Sequence, residues 1–183
     1  MAGIKTDNAF LFDKIKLRAN HLPEAPVVVL DAFGGHGLVW AGVGRATGRT
    51  IKRLAVDNRN DLSTFHLHGD NVKILAGMDL SKFNVIDLDA YGVPYDQLKI
   101  VFQKKFHGTV FVTFIQTMNG GVPHGLLCDV GFSKTMIEKT PSLFFRRGWT
   151  YFKEWLALNG VREVWHRSHA RKHYLAFNCA ALP

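Results

Sequence analysis

The sequence predicts an α/β protein built on an open, mostly parallel sheet with helices on both faces. Two observations carry this. Apolar strand-like runs alternate with helical stretches over most of the 183 residues, which is the order that parallel sheets require. Near the end, Val161–Arg167 and His173–Cys179 alternate like two strands joined by a basic turn. They predict a terminal antiparallel hairpin.

The elements follow in order. Residues 8–20 set Phe10, Phe12, Ile15 and Leu17 among charges, as in a short amphipathic helix. Val27–Ala32 is a continuous apolar run, read as a buried parallel strand. The glycines after it open a helix over Leu38–Ala46, and Ile51–Val56 forms a second strand ending at Asp57. Residues 59–68 read as helix and Val72–Leu75 as a short strand leading to Asp79. Asn84–Leu88 reads as strand, Tyr95–Lys105 as helix and Thr109–Ile115 as strand. Residues 116–142 are a loop-rich insertion, broken by Gly120, Gly121, Pro123, Gly125, Gly131 and Pro141. Leu143–Leu158 is a helix closed by Asn159-Gly160. Residues 1–183 are expected to form one domain, with no internal repeat and no linker.

Composition narrows the class. The chain is 47% hydrophobic and 21% charged, which suits a globular core. No apolar stretch approaches the roughly 18 residues of a membrane span, and the first residues lack the apolar centre of a signal peptide. Two cysteines, Cys128 and Cys179, make no disulfide framework, so a cytoplasmic location is expected. The net charge is +8, and residues 134–173 hold nine Lys/Arg against three Glu. Such a surface favours polyanions, nucleic acid first.

Two motifs carry chemistry. In Asp31-Ala32-Phe33-Gly34-Gly35-His36-Gly37 a strand meets a helix through glycines, a turn that lets backbone amides approach a ligand. The dinucleotide fingerprint needs a glycine where Trp40 stands, so a nicotinamide site is disfavoured, and no phosphate-binding P-loop occurs. Asp57, about twenty residues after Gly37, sits where an acidic side chain accepts from ribose hydroxyls. Asp79 either reaches an adenine amine or caps its own loop. Gly42, Gly44 and Gly48 follow a helix start and read as helix packing and a helix stop.

The second motif is Asp89-Ala90-Tyr91-Gly92, with Pro94, at the end of the strand Asn84–Leu88. A carboxylate, a free carbonyl and an aromatic ring there suit a flat base held by its exocyclic amine. Asp87 and Asp89 share a strand face, where two carboxylates repel; Asp87 is expected to bond backbone amides of a neighbouring loop. His166, His169 and His173, and the pair His66 and His68, lack carboxylate or cysteine partners at metal-site spacing. No metal is expected, and no Ser-His-Asp or Cys-His arrangement has local support.

Asp31-x-Phe33-x-Gly35-x-Gly37, then Asp57, then Asp89-Ala90-Tyr91-Gly92, resembles the class I S-adenosylmethionine-dependent methyltransferases that modify base amino groups. The stretch VIDLDAYGVP is most similar to the strand-end motif of tRNA guanine-N2 dimethyltransferases, and is also similar to that of N6-adenine methyltransferases. The resemblance covers residues 27–115 and the terminal hairpin. It departs at Ala90 and Val93, where the family has proline and serine; without that proline the loop is less stiff. It implies a Rossmann-like seven-stranded sheet with its last strand antiparallel. It implies S-adenosylmethionine as cofactor, held by Asp31, Phe33, Gly35, Gly37, Asp57 and Asp79. It implies base-amine methylation by Asp89, Ala90, Tyr91 and Gly92. The expected partner is RNA or DNA, with no membrane; a homodimer stays open. Two alternatives stay open as well: methylation of a protein or small-molecule amine, and a non-enzymatic binding module with a degenerate pocket.

Overall fold

The computed structural model describes residues 10–62, 64–116 and 121–179. Seven strands form one sheet in the order β3-β2-β1-β4-β5-β7-β6. They are β1 (Val27–Asp31), β2 (Ile51–Asp57), β3 (Leu67–His68), β4 (Val85–Leu88), β5 (Gly108–Ile115), β6 (Trp165–His169) and β7 (Lys172–Cys179). The pairs β2–β3, β1–β2, β1–β4 and β4–β5 are parallel. β7 runs antiparallel to both β5 and β6, as the alternation of the terminal segments predicts. The helices are α1 (Leu11–Asn20), α2 (Leu38–Thr47), α3 (Asn71–Gly77), α4 (Tyr95–Gln103), α5 (His124–Asp129), α6 (Lys134–Lys139) and α7 (Gly148–Leu158).

Strand periodicity divides the core in two. One set of strand residues, Leu30, Ile86, Leu88, Val110 and Val112, packs with Leu75, Leu98, Val101, Leu127 and Trp155 of α3, α4, α5 and α7. The alternate set, Val27, Val29, Val85 and Phe111, packs with Leu17 of α1 and Trp40 and Val43 of α2. Close approach of α1 to α2 depends on Gly42, where a Cβ would lie 2.3 Å from the Ile15 side chain. Gly48 ends α2 in the left-handed conformation, φ +67°, the commonest helix stop.

Four expected elements differ. Residues 59–62 and 64–66 are irregular and Leu67–His68 is strand β3, where a helix is expected. His66 bridges the carbonyls of Thr64 and Arg59, and His68 contacts that of Asn58, so side chains hold this stretch open. Val72–Leu75 belongs to helix α3 instead of a strand. The Asp70 carboxylate accepts from the Val72 and Lys73 amides, a start signal that overrides β-branched composition. The insertion contains α5 and α6, the latter capped by Ser133. The helix predicted from Leu143 begins at Gly148, after a 3₁₀ turn over Pro141–Leu143. Phe144 breaks the run by turning inward onto Phe132 and Tyr151.

Candidate functional site at the carboxyl edge of the sheet

The carboxyl ends of β1, β2, β3 and β4 lie along one edge, where open α/β sheets place ligands. β1 and β4 pair in register, Asp31 opposite Asp87. Because strand side chains alternate, Asp31, Asp87 and Asp89 all point to the face covered by α1 and α2. Three carboxylates crowded there would repel one another, and cations from neighbouring elements offset this. Arg18 of α1 grips Asp87 with Nε and Nη2 at 2.8 and 2.6 Å, and the Trp40 indole N–H donates to the same group at 2.7 Å. Lys14, one turn earlier on α1, meets both oxygens of Asp89 at 2.8 and 2.9 Å, and the Thr113 hydroxyl also donates to Asp89. Arg53 of β2 reaches Asp31 at 3.3 Å. The expected partner of Asp87, a loop amide, is thereby replaced by Arg18 and Trp40.

The three carboxyls differ in charge state. Burial raises Asp31, and the adjacent Asp87 adds to it, against the weak pull of Arg53; Asp31 is pushed up to about 8. For Asp87 burial also pushes upward, opposed by Arg18. The two short contacts in fork geometry are those of an ionised pair. Burial opposes ionisation of Asp89 too, but Arg18, Lys14 and Thr113 outweigh it and hold the group below the usual carboxylate range.

Beside this cluster runs the glycine turn. The Gly35 amide donates to Asp57 at 2.9 Å, and the Gly34 amide donates to the Val56 carbonyl, so the turn is tied to the end of β2. Gly37 has φ +71°, and a Cβ there would lie 2.4 Å from the Arg53 guanidinium. The left-handed backbone favours glycine there, and a side chain would also push the Arg53 guanidinium aside. A narrow cleft of about 40 Å³ is lined by Asp31, Phe33, Gly35, Gly37, Asp87 and Asp89. A larger cavity of about 510 Å³ adjoins it through Phe33, walled by Asp57, Asn58, Gly69, Asp70 and Asn71. The structure thus brings the two sequence motifs to one place.

The remaining candidates fall around this place or away from it. Ala90 is buried, and Tyr91 beside it is 68% exposed. The Gly92 carbonyl accepts from the Ile115 amide at 2.8 Å, tying the motif loop to the end of β5. Asp79 is elsewhere. It precedes β4 and so lies at the amino edge, capping a 3₁₀ turn through the Ser81 amide and hydroxyl. The expectation that it reaches an adenine amine is corrected, because the segment before it is α3 and not a strand. Asp70, after β3, occupies the carboxyl edge instead. Sequence reasoning missed Asp70, Lys14, Arg18 and Arg53. The order strand, glycine, Asp in Leu67-His68-Gly69-Asp70 was available as a signal for the first. For Lys14 and Arg18 the signal was their i, i+4 spacing on the same helical side as Leu17.

Comparison with solved structures places this arrangement. An O-methyltransferase family protein from Burkholderia thailandensis superposes over 93% of this chain and 55% of its own, at TM-score 0.53 and 14% identity. A putative class I S-adenosylmethionine-dependent methyltransferase from Listeria monocytogenes matches over 99% of this chain and 64% of its own, at TM-score 0.57 and 14% identity. The fold is that of the class I methyltransferases. A putative rRNA methylase from Clostridium thermocellum, similar over 92% of this chain and 96% of its own, has TM-score 0.54 and 10% identity. The chain therefore spans about half to two thirds of the length of the first two and nearly all of the third. No protein-family model and no curated protein matches the sequence. Among the described residues, no group of three or more His, Cys, Asp or Glu is placed to hold a metal ion. None of the described helices is long and apolar enough to cross a membrane.

Proposed function

We propose that the chain is an S-adenosylmethionine-dependent methyltransferase acting on an exocyclic amine of a nucleic-acid base. One observation carries the proposal: the glycine turn and Asp89 line the same cleft. Donor and acceptor must share one space for in-line transfer, and positioning alone contributes up to roughly 7–11 kcal/mol.

The residues fit such a cofactor. The adjoining cavity of about 510 Å³ lies within the roughly 300–1,000 Å³ of small-molecule pockets, and suits a nucleoside. Asp57 accepts one backbone amide per oxygen, from Gly35 and Arg59, with the Arg59 guanidinium 3.8 Å from one oxygen, which leaves lone pairs for ribose hydroxyls. Asp70 and Asn71 would face the adenine edge. Gly35 and Gly37 would bound the amino-acid half, whose cleft must widen to admit it. The bound cofactor would supply an electrophilic methyl group on a sulfonium.

The chain's own residues would do the rest. A base amine is a poor nucleophile because its lone pair is delocalised into the ring. Asp89, held ionised, retains acceptor capacity beside Lys14 and Thr113. With the Ala90 carbonyl it would accept hydrogen bonds from the amine and turn the nitrogen toward tetrahedral geometry. Tyr91 would stack on the base, an interaction worth about 1–3 kcal/mol. A base within a duplex would first have to flip out. The overall basic charge favours nucleic acid over a small neutral acceptor.

The test has two stages. Titration with S-adenosylhomocysteine should show micromolar binding that Asp57→Ala weakens. Labelled cofactor should then transfer methyl to an RNA or DNA pool, and Asp89→Ala should abolish transfer. Cofactor binding with no transfer to either polymer, wild type and Asp89→Ala alike, would remove the nucleic-acid reading.

A further inference from the structure

A second concavity lies one strand beyond the motif loop. It measures about 710 Å³ and is walled by Phe10, Ile115, Gln116, His169, Arg171 and Lys172. It is tied to the motif loop at one point, where the Ile115 amide donates to the Gly92 carbonyl. Gln116 then joins two basic arms. Its backbone amide donates to the Arg171 carbonyl in the β6–β7 turn at 3.0 Å. Its side-chain amide donates to the Phe145 carbonyl, immediately before Arg146 and Arg147. Arg146, Arg147 and Arg171 are all exposed. Tyr91 is 68% and Phe145 44% exposed, whereas the Phe10 ring stacks on His169 at 3.9 Å.

Cations on two sides of an apolar hollow, with aromatic rings at the rim, match one chemistry. Phosphates need the cations, and unstacked bases need the rings. A duplex offers phosphates but keeps its base faces stacked, so it would leave the rings unused. We infer that this concavity binds the single-stranded segment flanking the methylated base, with phosphates on Arg146 and Arg171 and a base against Phe145. The inference rests on the nucleic-acid reading above and assigns it a surface and a strand state.

Fluorescence anisotropy tests it without needing turnover. Labelled 12-nucleotide single strands of RNA and of DNA, and a duplex of the same sequence, are titrated against the full chain over a salt series. The single strands should bind at least tenfold tighter than the duplex. Arg146→Ala/Arg171→Ala should reduce the slope of log affinity against log salt by about 1.4, roughly 0.7 for each phosphate contact. Phe145→Ala should weaken single-strand binding by about tenfold, within the range of one base–aromatic stack, and leave duplex binding unchanged. The control Lys52→Ala/Lys82→Ala removes the same charge from exposed positions near the amino edge. Equal losses in the control and the arginine pair would overturn the assignment, as would a preference for duplex. Failure of the broader reading looks different: no oligonucleotide binds at low salt while S-adenosylhomocysteine still does.

Discussion

Replacing Arg18 with methionine tests how the carboxylate row is held. Both Arg18 and Asp87 are about 1% exposed, and their contacts are 2.6 and 2.8 Å. Methionine fills much of the same volume but leaves Asp87 with the Trp40 N–H alone. An ionised carboxylate buried without a cation costs about 3–5 kcal/mol, a large part of the roughly 5–15 kcal/mol that holds a domain folded. Urea unfolding followed by tryptophan fluorescence at pH 7.5 reads this directly. With a slope of about 1–3 kcal/mol per molar urea, the midpoint should fall by at least about 1 M. Two controls sharpen the result. Arg18→Met/Asp87→Asn removes both charges and keeps an acceptor for Trp40, so it should recover most of the loss. Unpairing Asp87 raises its folded-state pKa, so the stability it forfeits returns as pH falls. The Arg18→Met penalty should therefore be smaller at pH 5 than at pH 7.5. A penalty under about 1 kcal/mol at pH 7.5, or a double variant as unstable as the sum of the singles, would refute the account.

Other consequences follow from the same geometry. Asp57→Ala should weaken S-adenosylhomocysteine binding by about 10- to 100-fold, as expected for lost hydrogen bonds to a charged acceptor; Asp79→Ala, at the opposite edge, should leave calorimetric affinity within about twofold of wild type. Lys14→Met removes a cation that keeps Asp89 ionised, so the acid limb of the methyl-transfer pH profile should move to higher pH, whereas Lys14→Arg should retain the wild-type limb. Asp31 is raised to about 8 in the folded chain from an ordinary 3.8, so the folded state binds the extra proton between those values. Its contribution to stability is complete below about pH 4 and is lost as pH rises through 8; Asp31→Asn should flatten that decline in thermal melts taken across the range.

The sheet was legible because its signals are local. Val27–Leu30 and Val110–Val112 are continuous apolar runs, buried at all but Val28, and the terminal hairpin alternates clearly. Short elements were less legible, because capping decided them. Val72 to Leu75 has the composition of a strand, yet Asp70 starts a helix there by binding two amides. That single error displaced the adenine-side candidate from Asp70 to Asp79. The glycine turn and the Asp89 loop were legible as motifs, since each packs its chemistry into a few consecutive residues. Their surroundings were not, because Lys14 and Asp89 are 75 positions apart in sequence.

Helix α1 shows why such a site resists reading from periodicity. Its apolar positions predict Phe12 inward, but Phe12 is 74% exposed while Lys14 and Arg18 are buried. The reversal follows from what the helix covers. Where a helix lies over apolar strand residues, burial favours apolar partners; α1 packs beside α2 and β7, and its inward side meets Asp87 and Asp89. Covering those carboxylates with leucine would strand two charges, each costing several kcal/mol. Charged residues on the inward side of α1 are thus dictated by the acidic strand ends. A strand end that gathers carboxylates beneath a helix must be neutralised from that helix. Lys14 and Arg18 meet that requirement from one helical face. A chain lacking them would have to keep Asp87 and Asp89 protonated.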